Sequence, residues 1–144
     1  MNGFLGTEAS LLSDLSLIAT LVLGAAAAFG GIQARKQKFS KHCPVMAVAA
    51  LLNWIPVIAV MIPALIALLA GESPQPAGVL SLVPLFHGVL GLITQLLLTY
   101  TVLRMVWLLK IPPINTRLLM KVTMALWMVT ILGGLGVYLS LYLS

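Results

Sequence analysis

The chain has 144 residues, of which 61% are hydrophobic and 8% charged, with 8 Lys+Arg against 3 Asp+Glu. A soluble domain carries roughly 25% charged residues to hydrate its surface, so this composition excludes a soluble globular enzyme and a disordered tail. The net charge of +5 does not indicate nucleic acid, because a basic patch needs a hydrated face with interleaved aromatics, and the lone Cys43 makes neither an internal disulfide nor a thiolate cluster.

Apolar runs of about 20 residues are long enough to cross a bilayer core as helices, and four follow one another along the chain. The first runs from about Leu11 to Gln33 and the second from about Pro44 to Ala70. The third covers about Val79 to Leu109 and the fourth about Leu118 to Leu143. Short breaks separate them: Arg35 to Cys43, the Pro- and Gly-containing stretch 71–78, and Lys110 to Arg117 with Pro112 and Pro113. Connections this short make successive helices antiparallel, which predicts an all-α, integral membrane, up-down four-helix bundle in one domain, 1–144. The N-terminal segment reads as a directly translocated leader. Residues 1–10 hold no base, and the first apolar run exceeds the roughly 7–15 residues of a signal-peptide core.

The charges orient the bundle. Arg35, Lys36, Lys38 and Lys41 fall in the first loop, and Arg104, Lys110, Arg117 and Lys121 flank the third. Glu8, Asp14 and Glu72 belong to the opposite side. The positive-inside rule then expects both basic loops in the cytoplasm and both termini outside, as in a bacterial-type inner membrane.

Polar groups inside a span are costly and therefore candidates for function. His87 lies about eight residues into the third span, roughly 12 Å deep at 1.5 Å per residue. Gly91, Thr94 and Gln95 continue its face, a small and polar stripe that should look into the bundle. Its imidazole suits ligation of haem iron or copper, or proton relay; the plainer alternative is a hydrogen bond between helices, with Asp14 as one partner. His42 and Met46 are one turn apart at the mouth of the second span, a soft-donor pair for copper or haem contact. Set against that, interfacial histidines are commonly solvated and methionine is a gap filler. The two histidines start near opposite faces, so one iron between them is not expected. Asn53 and Gln95 both fall near mid-membrane, and the simplest expectation is a hydrogen bond joining helices two and three. Pro56 and Pro63 predict two kinks in the second span. Gly24 with Ala28, and Gly133, Gly134 and Gly136, predict close helix approach. Trp107, Tyr138 and Tyr142 fit interfacial aromatic belts. No hydrolase constellation, phosphate loop or broken-helix transporter repeat is visible.

The pattern of His42 with Met46, the run Phe86-His87-Gly88-Val89-Leu90-Gly91, and the spacing of Thr123, Trp127, Gly134, Val137-Tyr138 and Tyr142 is similar to a known family. It resembles the four-helix bacterial membrane proteins catalogued as domain of unknown function 420, over roughly residues 10–143. The chain departs from that pattern at Thr116-Arg117, where the family usually has His-Arg, and in a first helix without histidine. Members are associated with maturation of haem-copper oxidases. The resemblance implies a non-enzymatic accessory membrane protein of the respiratory chain, acting in assembly of a haem-containing complex or as its small subunit. His87, His42 and Met46 would be the cofactor contacts and His87 and His42 the metal contacts, for haem b or copper, with no cofactor equally compatible. Expected partners are the lipid bilayer and other membrane subunits, not nucleic acid. The other readings are a small b-type cytochrome carrying haem itself and a purely structural subunit.

Overall fold

A computed structural model describes residues 4–7, 9–71, 79–105 and 115–142, with the side chains of 79–81 left aside. Glu8, Glu72, Trp107, Lys110 and the Pro-rich parts of the second and third loops lie outside the described residues. The described residues hold helices and no strand. Helix α1 spans Leu11–Arg35 and α2 Phe39–Leu52; a short turn α3, Trp54–Pro56, leads into a π-helical segment, Val57–Met61. Helix α4 is Ile62–Leu69, α5 Val79–Met105 and α6 Thr116–Tyr142. Segments Leu11–Arg35, Phe39–Leu69, Leu82–Met105 and Thr116–Tyr142 are each long and apolar enough to cross a membrane. This is a multi-pass membrane four-helix bundle.

Local chemistry sets the helix ends. Ser10 caps α1, its hydroxyl accepting from the Ser13 amide at 3.1 Å. The helix closes when Gln37 takes φ +59, with Gln37 N–H donating to Ala34 O and Lys38 N–H to Gln33 O. Those paired bonds satisfy the last carbonyls in the way glycine usually allows. The connection to α2 is therefore three residues, and α2 begins at Phe39, five residues before the expected Pro44. Pro44 sits near enough to the helix start to be accommodated inside it. Asn115 caps α6 by accepting from Leu118 N–H at 3.2 Å.

Contacts run in opposite senses along neighbouring helices. On α1 and α6, Asp14 meets Tyr138, Gly24 meets Ile131 and Gly31 meets Met124. On the second and third spans, Asn53 meets Gln95 and Leu65 meets Gly88. As one number rises its partner falls, the signature of antiparallel packing. A built Cβ at Gly24 would lie 2.8 Å from Ile131 Cδ1, and one at Gly30 would lie 2.8 Å from Met46 Sδ. Gly24 and Gly30 thus let helices approach, whereas Ala28 is exposed and its neighbour Ala27 is fully buried.

The interior is polar and the exterior apolar, the reverse of a soluble bundle. Gln95, Thr94, Thr123 and Asp14 are among the most buried side chains, while Phe86, Leu69 and Leu132 are exposed. That arrangement suits lipid as the surrounding solvent, because polar groups there must find partners within the protein. Leu23, Ala27, Ala49, Ala50, Leu98, Trp127 and Ile131 form the apolar core. The small alanines let α1, α2, α5 and α6 close tightly around Trp127.

Candidate functional site in the bundle

The second span changes its neighbours halfway along. Its first part, α2, packs on both α1 and α5, but beyond the π-helical turn α4 packs chiefly on α5. The cause is local. Pro56 has no amide hydrogen to give, the Ile62 amide reaches back five residues to Val57 O, and Pro63 follows at the start of α4. The irregularity predicted from the two prolines is concentrated between them, and it swings α4 away from α1.

A cavity of about 330 Å³ fills the resulting space, with walls from α1, α4, α5 and α6. Its apolar wall includes Leu17, Leu65 and Ile131, and its polar atoms come from Ser13, Ser16, Thr20, His87 and Tyr138. Leu21 and Ala64 line it and are also exposed, so it meets the lipid-facing surface between α1 and α4. Behind it lies a smaller void of about 20 Å³, bordered by Thr20, Asn53, Gly91, Thr94 and Gln95. His87 and Met61 border both spaces.

His87 projects from α5 onto the glycine surface of α6. A Cβ built at Gly134 would stand 3.0 Å from its Cε1, and one at Gly133 would stand 3.3 Å from its Nδ1. Only glycines leave room for the imidazole there. Among the described residues neither ring nitrogen has a hydrogen-bond partner. The alternative pairing with Asp14 is not formed. Asp14 accepts from Leu5 N–H at 2.8 Å and from the Tyr138 hydroxyl, which also bonds Thr7 Oγ1 at 2.8 Å. The reason is register: α1 faces α6 at that end, so Tyr138 lies across from Asp14 while His87 lies deeper. Tyr138 is consequently buried and is not the interfacial anchor its position suggested.

Asn53 Nδ2 donates to Gln95 Oε1 at 2.8 Å, the expected bond between the second and third spans. Gln95 Nε2 donates in turn to Ala50 O at 2.9 Å. Asn53 Oδ1 and Thr20 Oγ1 are buried without a partner, and both residues border the small void.

The other candidate pair is built differently. His42 Nδ1 lies 2.8 Å from Gly30 O, and the ring meets Phe39 edge-on. Met46 packs on the same Gly30. Both side chains fasten α2 to α1. His42 and His87 are also far apart. Gly30 is six residues beyond Gly24, which is level with Ile131, and Gly134 is three residues beyond Ile131 in the opposite sense. The two levels differ by about 13 Å along the bundle, so the histidines share no ligand.

No family model, no curated protein and no solved structure matches the chain.

The haem or copper implied by the resemblance meets a donor set too small for it. Among the described residues no three of His, Cys, Asp or Glu gather to hold a metal ion. His87 supplies one imidazole, and Met61 is the soft donor bordering the same spaces. A haem also carries two carboxylates. The base farther along the same helix, Arg104, is seventeen residues away, about 26 Å, and the other described bases lie at that same end. The residues do not fit a resident haem. Met61 and Thr20 were missed in the sequence; the signal for Met61 was its place between two prolines seven residues apart.

Proposed function

We propose that the protein is an accessory integral membrane protein of the respiratory chain, acting in assembly of a haem-containing complex or as its small subunit. The haem belongs to the partner, and the cavity around His87 is the working part. One observation carries this reading: a half-buried imidazole, without a hydrogen-bond partner among the described residues, is presented in a cavity that opens to the bilayer. Unpartnered imidazoles inside a membrane bundle are costly to keep unless they meet a ligand or a partner group. The short described connections leave no room for a soluble domain between α1 and α2, which also favours a role within the membrane.

In this reading the basic end of the bundle, with Arg35, Lys36, Lys38, Lys41, Arg104, Arg117 and Lys121, faces the cytoplasm of a bacterial-type inner membrane. The Asp14 end and both termini face outward. Labelling with a membrane-impermeant maleimide checks this: Lys36→Cys in a Cys43→Ala background should react only after the membrane is permeabilised.

The function is tested by affinity purification from gently solubilised membranes. Haem-bearing subunits should co-purify, and deletion of the gene should lower oxidase activity, restored by the wild-type chain and not by His87→Ala. A purified chain with its own Soret band, lost in His87→Ala, would show a cytochrome instead. A colourless chain that purifies alone, with His87→Ala fully restoring activity, would sink the proposal.

A further inference from the structure

The cavity has a chemistry that selects its occupant. It opens between α1 and α4 onto the lipid-facing surface, so its ligand arrives from the bilayer. Among the described residues no Lys, Arg or carboxylate lines it; the nearby Asp14 is already engaged by Tyr138 and Leu5. A phosphate head would find no cation and an ammonium head no free anion. Burying an uncompensated charge there is strongly unfavourable. The head that enters is neutral.

It also makes hydrogen bonds. A neutral imidazole offers one donor and one acceptor, and among the described residues neither nitrogen of His87 has a partner. Thr20, nine-tenths buried and with an unpartnered Oγ1, lines both this cavity and the small void behind it. Ser16 lies four residues before Thr20 on α1, so polar residues line the wall at two depths about 6 Å apart. A cavity of about 150 Å³ accepts a benzene ring, so about 330 Å³ holds a substituted ring and the start of its chain.

We infer that this cavity binds a quinone or quinol, its ring head hydrogen-bonded to His87 and Thr20 and its isoprenoid tail leaving between α1 and α4. The inference rests on the same cavity as the proposed accessory role and names its ligand class. The small void completes the site. Its volume of about 20 Å³ suits one water, and Asn53 Oδ1, buried without a partner, accepts from it. His87 then has polar company on both sides, the ring head in front and the water behind. The Asn53–Gln95 pair holds that water's acceptor in place. Met61 and Leu65 give the apolar floor on which a ring stacks.

The test uses the full chain in lipid nanodiscs, titrated with decylubiquinone and separately with its reduced form. Quenching of tryptophan fluorescence reports binding, since Trp127 borders the void behind His87. Saturable quenching is expected, weakened about 10-fold by His87→Leu and about 3-fold by Thr20→Val. Ala64→Phe, at an exposed position in the opening, should abolish it while leaving the unfolding midpoint unchanged, which separates a blocked site from a misfolded one. Absence of saturable quenching overturns the inference, as does unchanged affinity in both His87→Leu and Ala64→Phe. Displacement of the quinone by equimolar oleate would also overturn it, by showing a general acyl-chain pocket. Co-purification with haem subunits is read independently. A chain that co-purifies but binds no quinone refutes the ligand and leaves the accessory role standing.

Discussion

The two halves of the second span belong to one apolar run, α4 being the more apolar, yet they build opposite environments. Below the π-helical turn, α2 presents Ala49 and Ala50 to α1 and α5, and the bundle closes around Trp127 with almost no space. Above it, α4 leans on α5, has left α1, and the gap is a cavity. Hydrophobicity does not account for the difference, because in lipid it drives no association between helices. Side-chain size and backbone regularity do. Small residues bring backbones together, and two prolines with a π-turn hold them apart. The closed half supplies stability and the open half supplies a place for chemistry.

Four variants test that division, beginning with the largest effect. Trp127→Ala should empty the closed half and cost about 3 kcal/mol, the lower end of the range for large aromatic truncations. The lower end applies because lipid, not water, surrounds the bundle and the transfer contribution shrinks; unfolding by SDS in bicelles measures it. Gln95→Leu removes the bonds to Asn53 and Ala50 and should cost about 1–2 kcal/mol in the same assay, since interhelical bonds in membranes are individually modest. Replacing Pro56 and Pro63 together by alanine should restore a regular helix. Spin labels at positions 16 and 68 would then move closer by several ångströms, with the midpoint shifting by less than about 1 kcal/mol. An unchanged distance would mean that the prolines do not cause the opening. Leu132→Ala, on an exposed lipid-facing side chain, should change stability by less than about 0.5 kcal/mol.

Much of this was legible in the residues. Four long apolar runs gave the spans, and the position of α2 differed most because Pro44 looks like a helix start but lies inside one. The stripe from His87 to Gln95 and the Asn53–Gln95 bond followed from helical spacing and the cost of burying amides. What periodicity could not give was register between helices. That is why Asp14 pairs with Tyr138 and not His87, and why the unpartnered imidazole rests on Gly133 and Gly134. Nor could spacing tell that His42 and Met46 would both be taken up by Gly30, since that depends on how closely α1 and α2 approach. The cavity was least visible of all. It arises from what α4 fails to touch, and a missing contact leaves no pattern in one chain.

The junction of Thr7, Asp14 and Tyr138 has a consequence for biosynthesis. It joins the beginning of α1 to the end of α6, partners separated by more than a hundred residues. During synthesis Asp14 is made more than a hundred residues before Tyr138, its main side-chain partner. Until then its carboxylate has only partners from its own end of the chain, such as the Leu5 amide. A chain whose α6 fails to insert never brings that hydroxyl to the carboxylate, so docking of α6 onto α1 is the step that completes the junction.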